Sequence, residues 1–230
     1  MLSKRELNAV LKLEHIFKIY EGSENNAVTA LHDVSMQIKT GEFAALIGES
    51  GSGKSTLMNI AGCLDAPTQG NVIINGRELS TLTEDQKADL RNHTIGFIFQ
   101  SFYLQNHLTA LDNVMLPMLF AGMDKMERIK RAKELLQMVG MEKRMGHTPA
   151  QLSGGQRQRV CIARAMANAP KIIFADEPTG NLDSKTAESI MQLLKSLSKQ
   201  GISILMVTHN HKHISYADTC YTICDGVLSS

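Results

Sequence analysis

Hydrophobic and polar positions alternate with a period near two at the start of the chain. KLEHIFKIY (residues 12–20) and HDVSMQI (32–38) therefore read as strands of an antiparallel flap. EFAALIG (42–48) is a short apolar strand that runs into a glycine loop, and Asn75-Gly76 inside VIINGREL marks a hairpin. Thr83 and Gln86 have capping-box spacing, predicting a polar helix to about Arg91, and IGFIFQ (95–100) is another buried strand. From Ser101 to about Leu152 the pattern turns helical and no strand is predicted. Asp124 and Glu127 open a helix there with Met126, Ile129, Leu135, Leu136 and Val139 in helical period. Beyond it, KIIFAD (171–176) and SILMVTH (203–209) are continuous apolar runs, separated by a helix with Ala187, Ile190, Met191, Leu194 and Leu197 on one face. Strands apolar on both faces that alternate with helices predict a mainly parallel sheet covered on both sides. The expected fold class is α/β, with an N-terminal antiparallel β flap and an inserted all-helical subdomain. One domain over 1–230 is expected, its core formed by 1–100 and 156–230 and its helical part by 101–155.

Composition narrows the function classes without changing this picture. A net charge of +1 gives no reason to expect a nucleic-acid partner, and no run approaches the length of a membrane span. Charges scattered through the first residues argue against a signal peptide, so a cytoplasmic location is expected. The cysteines Cys63, Cys161, Cys220 and Cys224 sit singly in apolar surroundings and read as reduced core residues.

GESGSGKS (48–55) follows a strand and precedes a helix, which is the context of a P-loop. Gly48, Gly51 and Gly53 let the backbone of the loop, which also includes Glu49, Ser50 and Ser52, curl its N–H groups toward phosphates. Lys54 neutralises β/γ charge, Ser55 suits Mg²⁺, and Thr56 faces the α-phosphate. Asp176 emerges at the carboxyl end of a buried strand, where ligands of open α/β sheets bind, and suits the Mg²⁺ shell. Neighbouring strand residues face opposite ways, so Glu177 takes a different task, as general base or water-positioning group at the γ-phosphate. Gln100, Asp183 and His209 are candidates to complete a γ-phosphate sensor. His209, His211 and His213 alternate as a conceivable metal face, which a turn into helix would break up.

LSGGQ (152–156) adds a second anion-binding helix start in a chain with one P-loop. If both bind one triphosphate, they approach it from opposite sides. The simplest geometry is a two-fold dimer in which the Ser153-Gly154-Gly155 helix of one copy closes on the nucleotide of the other.

In their order and spacing, GESGSGKS, Gln100, LSGGQ, IIFADE, GNLD and His209 resemble the ATPase subunit of an ABC transporter over essentially the whole chain. The resemblance implies ATP hydrolysis within an ATP-sandwich dimer, with Mg²⁺ held by Ser55, Gln100 and Asp176. It implies adenine stacking on Tyr20, catalysis by Glu177 and His209, and contacts across the dimer from Ser153, Gly154, Gly155, Gln156 and Asp183. Where that family often has an acidic residue after the switch histidine, Asn210 stands here and can still cap the next helix. SGSGKSTL, IGFIFQSFYL, LTALDNVMLP and DEPTGNLDS are similar to the lipoprotein-releasing and macrolide- or peptide-exporting subgroup. That similarity implies an integral membrane permease on a separate chain and peripheral attachment to the inner face of the cell membrane. No fused permease or regulatory domain is expected. The Leu-, Met- and aromatic-rich stretch 101–123 either packs the helical insertion or forms a groove for a partner's helix. A non-transport complex, in cell division or cofactor assembly, is the alternative.

Overall fold

The computed structural model describes residues 9–21 and 27–229, the side chain of His211 excepted. Strands β1 (Ala9–Tyr20) and β2 (Val28–Lys39) form the antiparallel flap, and β3 (Phe43–Ile47) leads into α1 (Lys54–Ala61). The hairpin of β4 (Gln69–Ile74) and β5 (Arg77–Glu78) follows, then α2 (Glu84–Thr94) and β6 (Ile95–Ile98). The helices α3 (Ala110–Phe120), α4 (Lys125–Met138) and α5 (Gly154–Ala165) come next. The chain then returns through β7 (Ile172–Asp176), α6 (Ser184–Lys199), β8 (Ser203–Val207), α7 (His211–Ile214), β9 (Thr219–Cys224) and β10 (Val227–Ser229).

The flap orders its strands β2-β1-β4-β5, and the larger sheet runs β10-β9-β3-β8-β7-β6. Within the larger sheet β9, β3, β8, β7 and β6 are parallel, and only β10 runs against its neighbour. Two hydrophobic cores lie on its two faces, and the pleat decides which residue joins which. Ala45, Ile173, Ala175, Ile204 and Met206 pack against α3–α6, whereas Ala44, Leu46, Ile172, Phe174, Leu205 and Val207 pack against α1 and the flap. Both faces are dry, which is why the strand sequences read as unbroken apolar runs. Asp176 follows Ile172 and Phe174 in register, so the pleat turns it to the face shared with α1.

Local signals match the ends of these elements. Thr83–Gln86, Thr109–Asp112 and Ser153–Gln156 all form reciprocal capping boxes. Asn75 and Gly76 both take positive φ, 49° and 75°, as a two-residue hairpin turn demands. Two expectations are corrected. The helical segment starts late: residues 101–109 form a loop with positive φ at Phe102 (62°) and Tyr103 (48°), conformations incompatible with a helix. Met126, in step with the apolar positions of α4, is 72% exposed because it lies in the first turn, before the helix meets its neighbours.

Candidate active site

Close packing dictates the shape of the P-loop. A Cβ on Gly48 would lie 2.3 Å from the Ile223 carbonyl oxygen, and one on Gly53, at φ 106°, 2.7 Å from that of Ala30. Only glycine lets the loop lie so near β9 and β2. Glu49 and Ser50 are on its exposed rim, and Ser52 is buried beneath it. Lys54 Nζ donates to the Gly48 carbonyl at 2.9 Å and sits 3.5 Å from Ser52 Oγ, which centres the ammonium in the loop. A cavity of about 340 Å³ opens here, lined by Gly51, Gly53, Lys54, Ser55 and Thr56 and by the flap residues Val28, Thr29 and Ala30. Tyr20 pairs with Val28 across the flap, which puts the tyrosine beside the rim of that cavity. Its ring is half-exposed, Lys18 Nζ lies 4.8 Å from the ring centroid, and its hydroxyl donates to Asp65 Oδ2 at 3.0 Å.

The two acids differ as the sequence requires, but by a sharper device than strand alternation. Burial raises the Asp176 carboxyl above the ordinary carboxylate value; neighbouring Glu177 adds to the rise and Lys54 opposes it. Glu177 leaves the strand at φ 43°, a conformation that costs a non-glycine residue on the order of 1–3 kcal/mol. Its N–H donates to the Val207 carbonyl at 3.0 Å. Its Oε1 accepts the His209 N–H at 2.9 Å and lies 2.6 Å from His209 Nδ1, while Oε2 faces Thr208 Oγ1 at 3.4 Å. The extension of β8 therefore holds the carboxylate at the end of β7.

Gln100 lies two residues beyond β6. A Cβ on Gly180 would be 2.8 Å from Gln100 Nε2, and Asn181 Nδ2 donates to the Gln100 carbonyl at 2.9 Å. The loop after Gln100 is fixed from α5: Arg164 donates to the carbonyls of Phe102 (2.7 Å) and Tyr103, and the Arg157 guanidinium stands 5.0 Å from the Phe102 ring centroid. Nothing in the sequence pointed to Arg164, because its partners are backbone carbonyls.

The LSGGQ segment is elsewhere: none of Ser153, Gly154, Gly155 and Gln156 lines the P-loop cavity. Ser153 Oγ accepts the Gln156 N–H at 3.3 Å and Gln156 Oε1 accepts the Ser153 N–H at 3.0 Å. Asp183 caps α6, accepting from the N–H groups of Lys185 (3.1 Å) and Thr186 (3.0 Å), and its carboxyl is lowered, first by the Thr186 hydroxyl. That cap is legible in the sequence as an Asp just before an apolar-periodic helix. The two helix starts touch: a Cβ on Gly155 would lie 2.3 Å from Thr186 Cγ2. Asn210 caps α7 through the Lys212 N–H at 3.0 Å. Among the described residues no three His, Cys, Asp or Glu side chains converge on a metal geometry; the His211 side chain, one third of the conceivable histidine face, lies outside them.

A family model described as ABC transporter matches residues 31–180. The chain belongs to the ABC transporter ATP-binding family. It is an ABC-type ATPase. The cassette is 50% identical over 219 residues to an uncharacterized ABC transporter ATP-binding protein of Methanocaldococcus jannaschii, covering 95% of this chain and 97% of that one. It is 46% identical over 221 residues to the macrolide export ATP-binding/permease protein MacB of Vibrio parahaemolyticus, covering 96% of this chain but 34% of MacB. Among solved structures, the dimeric ATP-binding cassette MJ0796 in a post-hydrolysis state with ADP and Pi superposes with a TM-score of 0.88 at 46% identity, over 96% of this chain and 97% of that one. No helix among the described residues is long and apolar enough to cross a membrane.

Proposed function

We propose that the cassette powers an exporter of the macrolide, peptide or lipoprotein type, as a homodimer bound to an integral membrane permease on separate chains at the inner face of the cell membrane. Three exposed apolar side chains support a docked partner: Tyr103 (65% exposed), Leu119 (49%) and Phe120 (78%), on the segment that also supplies buried Val114 and Met118. They belong to the loop and helix around a groove of about 260 Å³ lined by Phe97, Phe99, Tyr103 and Pro117. MacB, by its name, joins an ATP-binding and a permease part, and this chain matches a third of its length.

In the reading that follows, the P-loop N–H groups and Lys54 bind the ATP phosphates, and Tyr20 stacks on the adenine. Glu177 positions the attacking water and takes its proton, while His209 fixes the carboxylate and faces the γ-phosphate. Asp176, Ser55 and Gln100 would hold Mg²⁺ through oxygen atoms, and the half-buried, charge-crowded carboxylate of Asp176 fits a hard cation. A Mg²⁺ held by these residues would supply positive charge against the phosphates. Ser153, Gly154, Gly155, Gln156 and Asp183 then approach the ATP held by a second copy. The dimeric form of the solved relative supports that closure. The observation that carries the catalytic reading is the double grip of His209 on Glu177.

The test is recovery of tagged Glu177→Gln from detergent-solubilised membranes of its own cell with Mg-ATP, followed by mass spectrometry. A stoichiometric integral membrane protein is expected. A soluble partner instead, with the cassette wholly in the cytosol, overturns the export reading and leaves the ATPase in place.

A further inference from the structure

We propose that His213 is a positioning residue that ties, as a neutral imidazole, the turn carrying Glu177 to the loop carrying His209. The proposal rests on the reading of Glu177 as the base and adds a residue to it. His213 lies on the short helix α7 and is only 7% exposed. Its Nδ1 is 3.2 Å from Thr179 Oγ1, and its Nε2 is 3.5 Å from Asn210 Nδ2.

Both partners belong to the catalytic loops. Thr179 is the third residue of the turn that starts at Glu177 and closes through the Gly180 N–H on the Glu177 carbonyl at 3.0 Å. Asn210 follows His209 directly, and its N–H donates to Thr208 Oγ1 at 3.1 Å. One ring thus bridges the position two beyond Glu177 and the position one beyond His209. Glu177 sits at positive φ, so its placement depends on what surrounds it.

The state of the ring follows from Asn210. Its Oδ1 is committed to the Lys212 N–H, which leaves its Nδ2, a donor, facing His213. Nε2 must therefore accept, and Nδ1 carries the proton and donates to Thr179. An imidazolium would set an N–H against the Asn210 amide N–H and break that side of the bridge. The charged and titratable groups around the ring are Glu188 on α6, Glu177 and His209 from the catalytic loops, and Lys212 and Tyr216 near it in sequence, Tyr216 donating to Glu188. Burial holds His213 below the ordinary histidine value; Glu188 and Glu177 pull the other way and His209 reinforces burial.

The test uses the full chain. Ring ¹⁵N spectra across a pH titration should show the Nδ1–H tautomer for His213, still neutral at pH 6.5; an Nε2–H tautomer, or a ring already charged there, overturns the proposal. His213→Val should lower kcat for ATP about tenfold with KM within about twofold, the scale that slight misplacement of a reacting group produces. His213→Asn, which restores a donor toward Thr179, should recover part of it. Asn210→Asp keeps the helix cap but accepts from a charged ring, so its ratio of kcat at pH 6 to kcat at pH 8 should exceed the wild-type ratio. Wild-type kcat in His213→Val, or an unchanged ratio in Asn210→Asp, overturns the proposal. If His213→Val does not fold, Asn210→Asp and the spectra decide. Glu177→Gln run in parallel separates the two claims: full turnover there sinks the base assignment, whereas its loss beside a wild-type His213→Val sinks only the bridge.

Discussion

Glu177 Oε1 is held by two groups of one residue, the backbone N–H of His209 at 2.9 Å and its ring Nδ1 at 2.6 Å. Nδ1 must donate to a carboxylate, so the outward nitrogen of this largely exposed ring is Nε2. Glu177 and His209 form one unit built from the ends of two adjacent parallel strands.

Glu177→Gln should therefore keep nucleotide affinity and lose turnover by about 10²–10⁴-fold, the usual contribution of a general base. Phosphate release with a parallel ATP-binding titration checks it, and gel filtration with Mg-ATP should show a persistent dimer. Turnover at the wild-type rate would move the base elsewhere. Lys54→Ala should instead weaken nucleotide binding, and unchanged affinity would count against the P-loop assignment.

What the sequence revealed and what it hid divide along physical lines. KIIFAD and SILMVTH announce buried parallel strands because dryness on both faces leaves no polar alternation, and Thr83, Ser153 and Asn210 announce caps because capping is local. The P-loop was legible for the same reason: strand, glycines, lysine and helix are contiguous. Hidden were relations that exist only after the chain has folded. Among these are the positive φ of Glu177, the Arg164 grip on the Phe102 and Tyr103 carbonyls, and the burial of His213 between Thr179 and Asn210. Strands β9 and β10 are not legible in the sequence, because half-exposed TCYTIC lacks the apolar run of its neighbours.

Gly155 illustrates a sequence signal with two causes. Its place in LSGGQ suggests an anion site, yet the space is already claimed, since a Cβ would meet Thr186 Cγ2 at 2.3 Å. Gly155→Ala should destabilise the fold by about 1–3 kcal/mol through overpacking. Thr186→Ser removes that methyl and should recover much of the loss, so denaturant unfolding of both single variants and the double variant should show strong coupling. Additive effects would mean that α5 and α6 do not meet as described. Ser153→Arg, by contrast, should leave ATP binding by the single copy intact and abolish the dimer that gel filtration with Mg-ATP is expected to show.

The cysteines should separate by environment. Cys224 is exposed, whereas Cys63 and Cys161 are buried. Burial pushes the Cys161 thiol up to about 11 despite the nearby Arg164 and Arg157. At pH 8 only about a thousandth of such a thiol is thiolate, the reactive form. Maleimide labelling of the native protein read by peptide mass spectrometry should modify Cys224 first and Cys161 only on unfolding. Early modification of Cys161 would show that α5 opens away from the loop at Phe102.

Stability should also depend on pH through His213. Its folded value is lowered from the ordinary 6.5, chiefly by burial, so just below pH 6.5 the unfolded chain binds more protons than the folded one. The contribution from the neutral buried ring is complete above the unfolded value and is lost as pH falls through the window beneath it. Asp176 acts in the opposite sense. Its folded value is raised above 3.8, so the folded chain gains protons first and the penalty for burying that charge is relieved as pH falls. The His213 share is isolated by difference: urea midpoints of the wild type should drop more between pH 7.5 and 5.5 than those of His213→Val. Parallel curves would mean that the ring takes its proton in the fold as readily as in water, and that Asn210 does not oppose it.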